Sequence, residues 1–116
     1  MTMTTIYGIK NCDTVRKARR WLDQRGVEYR FHDFRSDGLD EPTLARWCDA
    51  LDWETLLNRR GRRYRELPPE RTENLNANTA QLLLLEEPVL IKRPVLEHGE
   101  HVQVGFREDE WDALFS

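Results

Sequence analysis

The sequence predicts an α/β domain with a mixed four-stranded sheet flanked by helices and a helical insertion in the middle of the chain. Three observations carry this. The first third reads strand, helix, strand. The middle carries helical periodicity and charge. The last third returns to alternating strand patterns and closes on a short amphipathic stretch. At 116 residues the chain is one domain's worth of material, and no linker, internal repeat or low-complexity tract stands out.

Thr4-Thr5-Ile6-Tyr7-Gly8-Ile9 is β-rich and closed by the polar Lys10-Asn11, which predicts a first strand. Asp13 or Thr14 is expected to cap the helix that follows, with Val15, Ala18 and Leu22 at helical spacing and Gly26 as its stop. Val27, Tyr29 and Phe31 alternate with Glu28, Arg30 and His32, the pattern of a strand with one buried face. A crossover of this length favours a parallel pair with a right-handed connection.

Ser36-Asp37-Gly38 predicts a loop, and from Glu41 a helix places Leu44, Trp47, Cys48 and Leu51 on one face. A shorter helical piece over residues 53–57 is followed by the basic stretch 58–65, broken by Gly61 and ended by Pro68-Pro69. A further helix is expected from about Asn78 to Glu86, stopped by Pro88. Val89-Leu90-Ile91 predicts a buried strand interrupted by Arg93-Pro94. Residues 95–97 and 101–104 form a hairpin with a glycine turn at His98-Gly99-Glu100. Acids at 108–110 open a final helix containing Trp111, Leu114 and Phe115.

Composition narrows the function. The longest apolar run is the four leucines 82–85, far short of the ~20 residues that span a bilayer. The N-terminus shows neither the basic start nor the apolar stretch of a secretory signal. With 18 basic and 21 acidic side chains the net charge is −3, which argues against a general nucleic-acid binder while leaving room for a local basic patch. Two cysteines are too few for a disulfide scaffold or a cysteine-rich zinc site and suit a reducing, cytoplasmic context.

Cys12 is expected where the first strand gives way to the first helix. There a side chain meets the free N–H groups of the helix start, whose partial positive charge stabilises a thiolate. Lys10, Arg16 and Lys17 add cationic character nearby. The competing reading is a cysteine that merely fills a loop; the polar turn around it favours reactivity. Cys48 lies beside Trp47 on an apolar helix face, which favours a buried, inert thiol, its alternative being a resolving partner for Cys12. The arginines of residues 59–65 admit three readings: a solvated loop, an anion-binding element, or a docking patch for an acidic partner. Arg93 stands just before Pro94, which holds it extended; a cis bond there is open. Arg107 closes the hairpin before the final helix. His32, His98 and His101 show no metal spacing beyond the weak pair His98/His101 and are expected at the surface, so no metal site is predicted.

Taken together, Thr5-Ile6-Tyr7-Gly8-Ile9-Lys10-Asn11-Cys12-Asp13-Thr14, Leu90-Ile91-Lys92-Arg93-Pro94-Val95 and Val104-Gly105-Phe106-Arg107 resemble the arsenate reductase (ArsC)/Spx family, its YffB branch in particular. The resemblance spans nearly the whole chain. It implies a thioredoxin-like core over about 4–35 and 88–116, a helical insertion over about 40–87, and Pro94 as the cis-proline of that fold. It also implies a single nucleophilic cysteine, Cys12, and three arginines that hold an oxyanion: Arg93, Arg107, and Arg59 with Arg60 as its fallback. In such enzymes the cysteine attacks arsenate, and glutathione and glutaredoxin complete the reduction. No tightly bound cofactor is implied, glutathione being a co-substrate. Val15 departs from the pattern. Arsenate reductases resembling this chain carry a hydroxyl there, and Spx-type regulators, which bind RNA polymerase, carry a second cysteine. What survives both departures is a single-thiol reductase working with an external thiol on an oxyanion or a mixed disulfide. The alternative is an Spx-like interaction module without enzymatic activity.

Overall fold

The computed structural model of the chain describes residues 3–116. Its elements in chain order are β1 (Thr4–Gly8), α1 (Asp13–Gln24), β2 (Arg30–Asp33), α2 (Phe34–Asp37), α3 (Glu41–Leu51), α4 (Trp53–Leu56), α5 (Arg62–Glu66), α6 (Pro69–Thr72), α7 (Ala77–Glu86), a 3-10 turn (Pro88–Leu90), β3 (Val95–His98), β4 (His101–Val104) and α8 (Glu108–Phe115). Two compact units result. The residues up to Asp33 together with Arg93–Ser116 form one, and Phe34–Lys92 forms the other.

The first unit holds a four-stranded sheet in the order β2-β1-β3-β4. β1 runs parallel to β2, with Ile6 opposite Phe31, and antiparallel to β3, with Ile6 opposite Leu96. β3 and β4 close a hairpin at the His98/His101 pair, where Gly99 takes φ +61° at the first turn position. Ile6 and Leu96 point to the same face and meet Ala18, Trp21 and Leu22 of α1 and Trp111 of α8, all buried. Trp21 and Trp111 meet edge to face with centroids 5.9 Å apart. Each such side chain contributes roughly 1.5–3 kcal/mol by leaving water, which pins both helices to the sheet.

The second unit is helical. Leu44 and Trp47 of α3, Leu56 of α4 and Leu84 of α7 are fully buried. Asp40 caps α3 by accepting from the Thr43 N–H at 2.9 Å, and Asn76 and Thr79 form a reciprocal capping box at the start of α7. Arg63 of α5 and Arg71 of α6 both ion-pair with the acidic end of α7, Arg63 to Glu87 and Arg71 to Glu86.

Several local expectations are corrected. Residues 88–90 form a 3-10 turn and not a buried strand: the Leu90 and Ile91 N–H groups donate to the Glu87 and Pro88 carbonyls at 3.0 Å. Only Ile91 pairs in strand fashion, with Leu57. The segment before Gly38 is one helical turn, α2, where a loop is expected. The second strand begins at Arg30 and not at Val27. The basic stretch and the prolines after it contain α5 and α6, which are too short to leave a periodic trace. Cys12 itself occupies the N-cap of α1, in place of Asp13 or Thr14. His98 is half-buried, bonded through Nδ1 to the hydroxyl of buried Thr4 at 2.8 Å, with its ring 4.7 Å from that of Phe115. His32 is also half-buried, its ring 4.8 Å from that of Tyr7.

Candidate active site

The turn between β1 and α1 is held from two sides. Gly8 ends β1 directly over Val15 of α1. A Cβ at Gly8 would stand 2.6 Å from Val15 Cγ2, so only glycine allows the helix to approach this closely. One residue past Ile9, the backbone N–H of Lys10 donates to Asp33 Oδ2 at 3.4 Å, tying the turn to the end of β2. Cys12 then has little freedom. Its N–H donates to the Ile9 carbonyl at 3.3 Å, its carbonyl accepts from the Arg16 N–H at 2.9 Å, and its backbone is extended at φ −102°, ψ 124°. Those are the dihedrals of an N-cap residue.

This geometry turns the Cys12 side chain toward the unpaired N–H groups of the first helical turn. Partial burial opposes ionisation of the thiol and is the largest single influence on it. The N–H of Val15, the guanidinium of Arg93 through both a hydrogen bond and its charge, and the N–H of Thr14 act the other way and together prevail, so the pKa lies below that of an ordinary cysteine. The sulfur does not close a conventional side-chain cap; the N–H groups serve as an anion cradle. Asp13, next in sequence, is paired with Arg16 at 2.5 Å, which offsets its charge and holds its pKa down.

Arg93 reaches Cys12 from the start of the returning half of the sheet. The Arg93–Pro94 bond is cis, and Pro94 is buried, its carbonyl accepting from the Gly105 N–H at 2.8 Å. Arg93 is half-buried. Cys12 and Arg93 are therefore the two expected site residues that the structure brings together. Arg107 is exposed, occupies the N-cap of α8 and faces Glu110 at 3.7 Å; it borders a groove along α1 with Lys17 and Arg20. Arg59 belongs to the helical unit, exposed, with its guanidinium 5.7 Å from the centroid of the Trp53 ring; Arg60 is exposed beside it. Cys48 is half-buried. Burial first, then the charges of Asp49 and Asp52, raises its pKa, so the two thiols differ in the expected direction.

Sequence reasoning missed Gly8 and Asp33, which fix the turn. The signal for Gly8 was present: an isolated glycine inside a strand pattern marks a close approach of another segment. Val15 is fully buried, committed to contact with Gly8, so its side chain supplies the thiol with neither a hydroxyl nor a second sulfur. Among the described residues no three His, Cys, Asp or Glu side chains converge as metal ligands, and no helix is long and apolar enough to cross a membrane.

A model described as the ArsC family matches residues 7–114. Among solved structures, the YffB (PA3664) protein superposes with a TM-score of 0.95 at 44% identity, covering 98% of this chain and 100% of that one. An arsenate reductase (ArsC) related protein from Brucella melitensis superposes with a TM-score of 0.77 at 46% identity, over 98% and 95% of the two chains. Among curated relatives, the global transcriptional regulator Spx 1 of Lactococcus lactis is 28% identical over 97% of this chain and 88% of its own length. The mixed sheet with its flanking helices is thus a thioredoxin-like fold of the kind these relatives share.

Proposed function

This chain belongs to the ArsC family, and on that premise we propose that it is a single-cysteine, glutathione-dependent thiol reductase acting on a mixed disulfide or an arsenate-like oxyanion. The observation that carries the reading is Cys12 at the N-cap of α1, its thiol acidified by two backbone N–H groups and Arg93.

On a mixed disulfide the chemistry is two exchanges. The Cys12 thiolate attacks the glutathione sulfur, an S–S bond forms between them, and the substrate leaves as a thiolate that takes up a proton. A second glutathione thiolate then attacks the Cys12–glutathione bond, releasing oxidised glutathione and restoring the Cys12 thiolate. Two glutathione-level electrons reduce one disulfide, so the balance closes. On arsenate the same thiolate displaces one oxygen, which takes up two protons and leaves as water; a glutathione thiolate then attacks the Cys12 sulfur, arsenite leaves with the As–S electron pair, and a second glutathione reduces the resulting Cys12–glutathione disulfide. Arg93 lowers the pKa of the thiol and supplies a charge-assisted hydrogen bond to an incoming anion, and Arg107 is proposed to add to the anion's neutralisation. Glutaredoxin is the proposed partner where a protein thiol completes turnover, and the reducing cytoplasm is the proposed compartment.

The test is reduction of a glutathione mixed disulfide of a small thiol, followed with glutathione as electron donor. Cys12→Ser is expected to abolish turnover and Cys48→Ser to retain it; turnover by Cys12→Ser overturns the reading. A second reading draws support from the Spx relative and from the exposed arginines at 59, 60, 62 and 65: a non-enzymatic regulatory module that uses them to dock an acidic partner. Under that reading Cys12→Ser leaves partner binding intact.

A further inference from the structure

The chain enters Arg93 from a short pairing outside the four-stranded sheet. Leu57 and Ile91 form an isolated antiparallel bridge within the helical unit. On either side of it the Asn58 N–H donates to the Leu90 carbonyl and the Lys92 N–H to the Leu56 carbonyl, both at 2.8 Å. Leu56, Leu57, Leu90 and Ile91 are all buried, so water cannot take over these backbone bonds.

Each side of the bridge is rooted in a helical turn. The Leu57 N–H donates to the Trp53 carbonyl at the end of α4, and the Ile91 N–H to the Pro88 carbonyl at the end of the 3-10 turn, both at 3.0 Å. Leu57 and Ile91 are themselves extended, at φ −74°, ψ 123° and φ −79°, ψ 135°. Lys92 closes the pairing, and Arg93 follows it across one planar peptide, with Cα atoms about 3.8 Å apart. On the other side of Arg93, Pro94 is buried and its carbonyl accepts from the Gly105 N–H at 2.8 Å. The backbone that carries the guanidinium is thus tied one residue before and one residue after. A hydrogen bond weakens steeply with misalignment, so the aim of this long side chain depends on how firmly its backbone is held.

We propose that the paired segments 56–58 and 90–92 position Arg93 against the Cys12 sulfur, with the Asn58 and Lys92 N–H groups as the positioning donors. The helical insertion then bears on the thiol through chain connectivity, and Asn58 and Lys92 act through Arg93. What this means for turnover rests on the reductase reading; the positioning itself does not.

The experiment removes one N–H at a time in the full chain carrying Cys48→Ser. Asn58→Pro and Lys92→Pro are each compared with alanine at the same position, which keeps the N–H. The residue before each proline is already extended, as proline requires. The readout is the pH midpoint of Cys12 alkylation by iodoacetamide. Each proline variant is expected to raise the midpoint above that of its alanine counterpart and to slow alkylation at neutral pH about threefold or more, as a smaller thiolate fraction requires. In an Arg93→Met background the same prolines are expected to leave the midpoint unchanged, a result that loosened packing alone does not produce. A shift that persists without the guanidinium, or no shift in proline variants whose amide spectra show a folded chain, overturns the proposal. Amide exchange in the unsubstituted chain needs no variant: the Asn58 and Lys92 N–H groups are expected to exchange as slowly as core amides, and exchange at the rate of exposed loops overturns the proposal. Failure of the two readings is distinguishable. Glutathione-dependent turnover with a midpoint indifferent to both prolines leaves the reductase reading standing and overturns the positioning. A midpoint that responds in a chain without turnover does the reverse.

Discussion

Arg93 hydrogen-bonds the thiol of Cys12 and adds its charge to that of the first-turn N–H groups, so a residue next to the cis-proline acidifies a cysteine at the opposite end of the sequence. The relationship depends on strand pairing and not on chain proximity. β1 and β3 lie side by side with Tyr7 opposite Val95, which brings the residues just beyond each strand's paired stretch to the same edge.

Replacing Arg93 by Met keeps a long apolar stem and removes the guanidinium. A hydrogen bond to a charged group is worth ~1.5–3 kcal/mol, so kcat/KM for a glutathione mixed disulfide is expected to fall about ten- to a hundredfold, as read in steady-state assays. A variant within twofold of the parent would place the acidification on the backbone N–H groups alone.

Gly8→Ala is expected to destabilise the fold. The new Cβ would meet Val15 Cγ2 at 2.6 Å, so the end of β1 and the start of α1 must move apart. Overpacking of this kind costs about 1–3 kcal/mol, measurable as a lowered urea midpoint. Because the turn moves, Cys12 alkylation at neutral pH should slow as well.

The two thiols contribute opposite pH dependences to stability. Cys12 has a folded pKa below its unfolded value. Its contribution therefore grows as pH rises from the folded to the unfolded pKa, where the unfolded state still holds the proton, and it is lost as pH falls through the folded pKa. Cys48 has a folded pKa above its unfolded value, so the protein loses stability as pH rises through the window between them. Urea titrations of Cys12→Ser and Cys48→Ser across mildly alkaline pH should diverge from the parent with opposite slopes.

Asn76→Ala removes one half of the capping box at α7 and leaves the Thr79 N–H without its side-chain acceptor. A loss of about 0.5–2 kcal/mol is expected. Asn76→Asp, which keeps the acceptor and adds a charge favourable at a helix start, should recover most of it.

Much of this fold was legible because its signals are local. β1, α1 and the hairpin each carry their own periodicity and turn residues, and the strand-to-helix position of Cys12 follows from them. Val89-Leu90-Ile91 misled because three apolar residues fit a strand or a tight turn equally well. Pro88 starts a 3-10 turn there, since its ring fixes φ and its missing N–H is no loss at a helix start. α5 and α6, at five and four residues, are shorter than two helical turns and cannot show a period. The sequence places His98 at the surface because its partners, Thr4 and Phe115, come from the two ends of the chain. The meeting of Arg93 with Cys12 is of the same long-range kind. Family resemblance suggested it; composition and periodicity carried no trace of it.

The helix start and Arg93 together lower the pKa of the Cys12 thiol. The most direct measurement is the pH dependence of Cys12 alkylation by iodoacetamide in a Cys48→Ser background, with free glutathione measured in parallel. The account predicts a midpoint below the ~8.5 of a free cysteine, moved upward by Arg93→Met. A midpoint at or above that of the free thiol, or one indifferent to Arg93→Met, would contradict it.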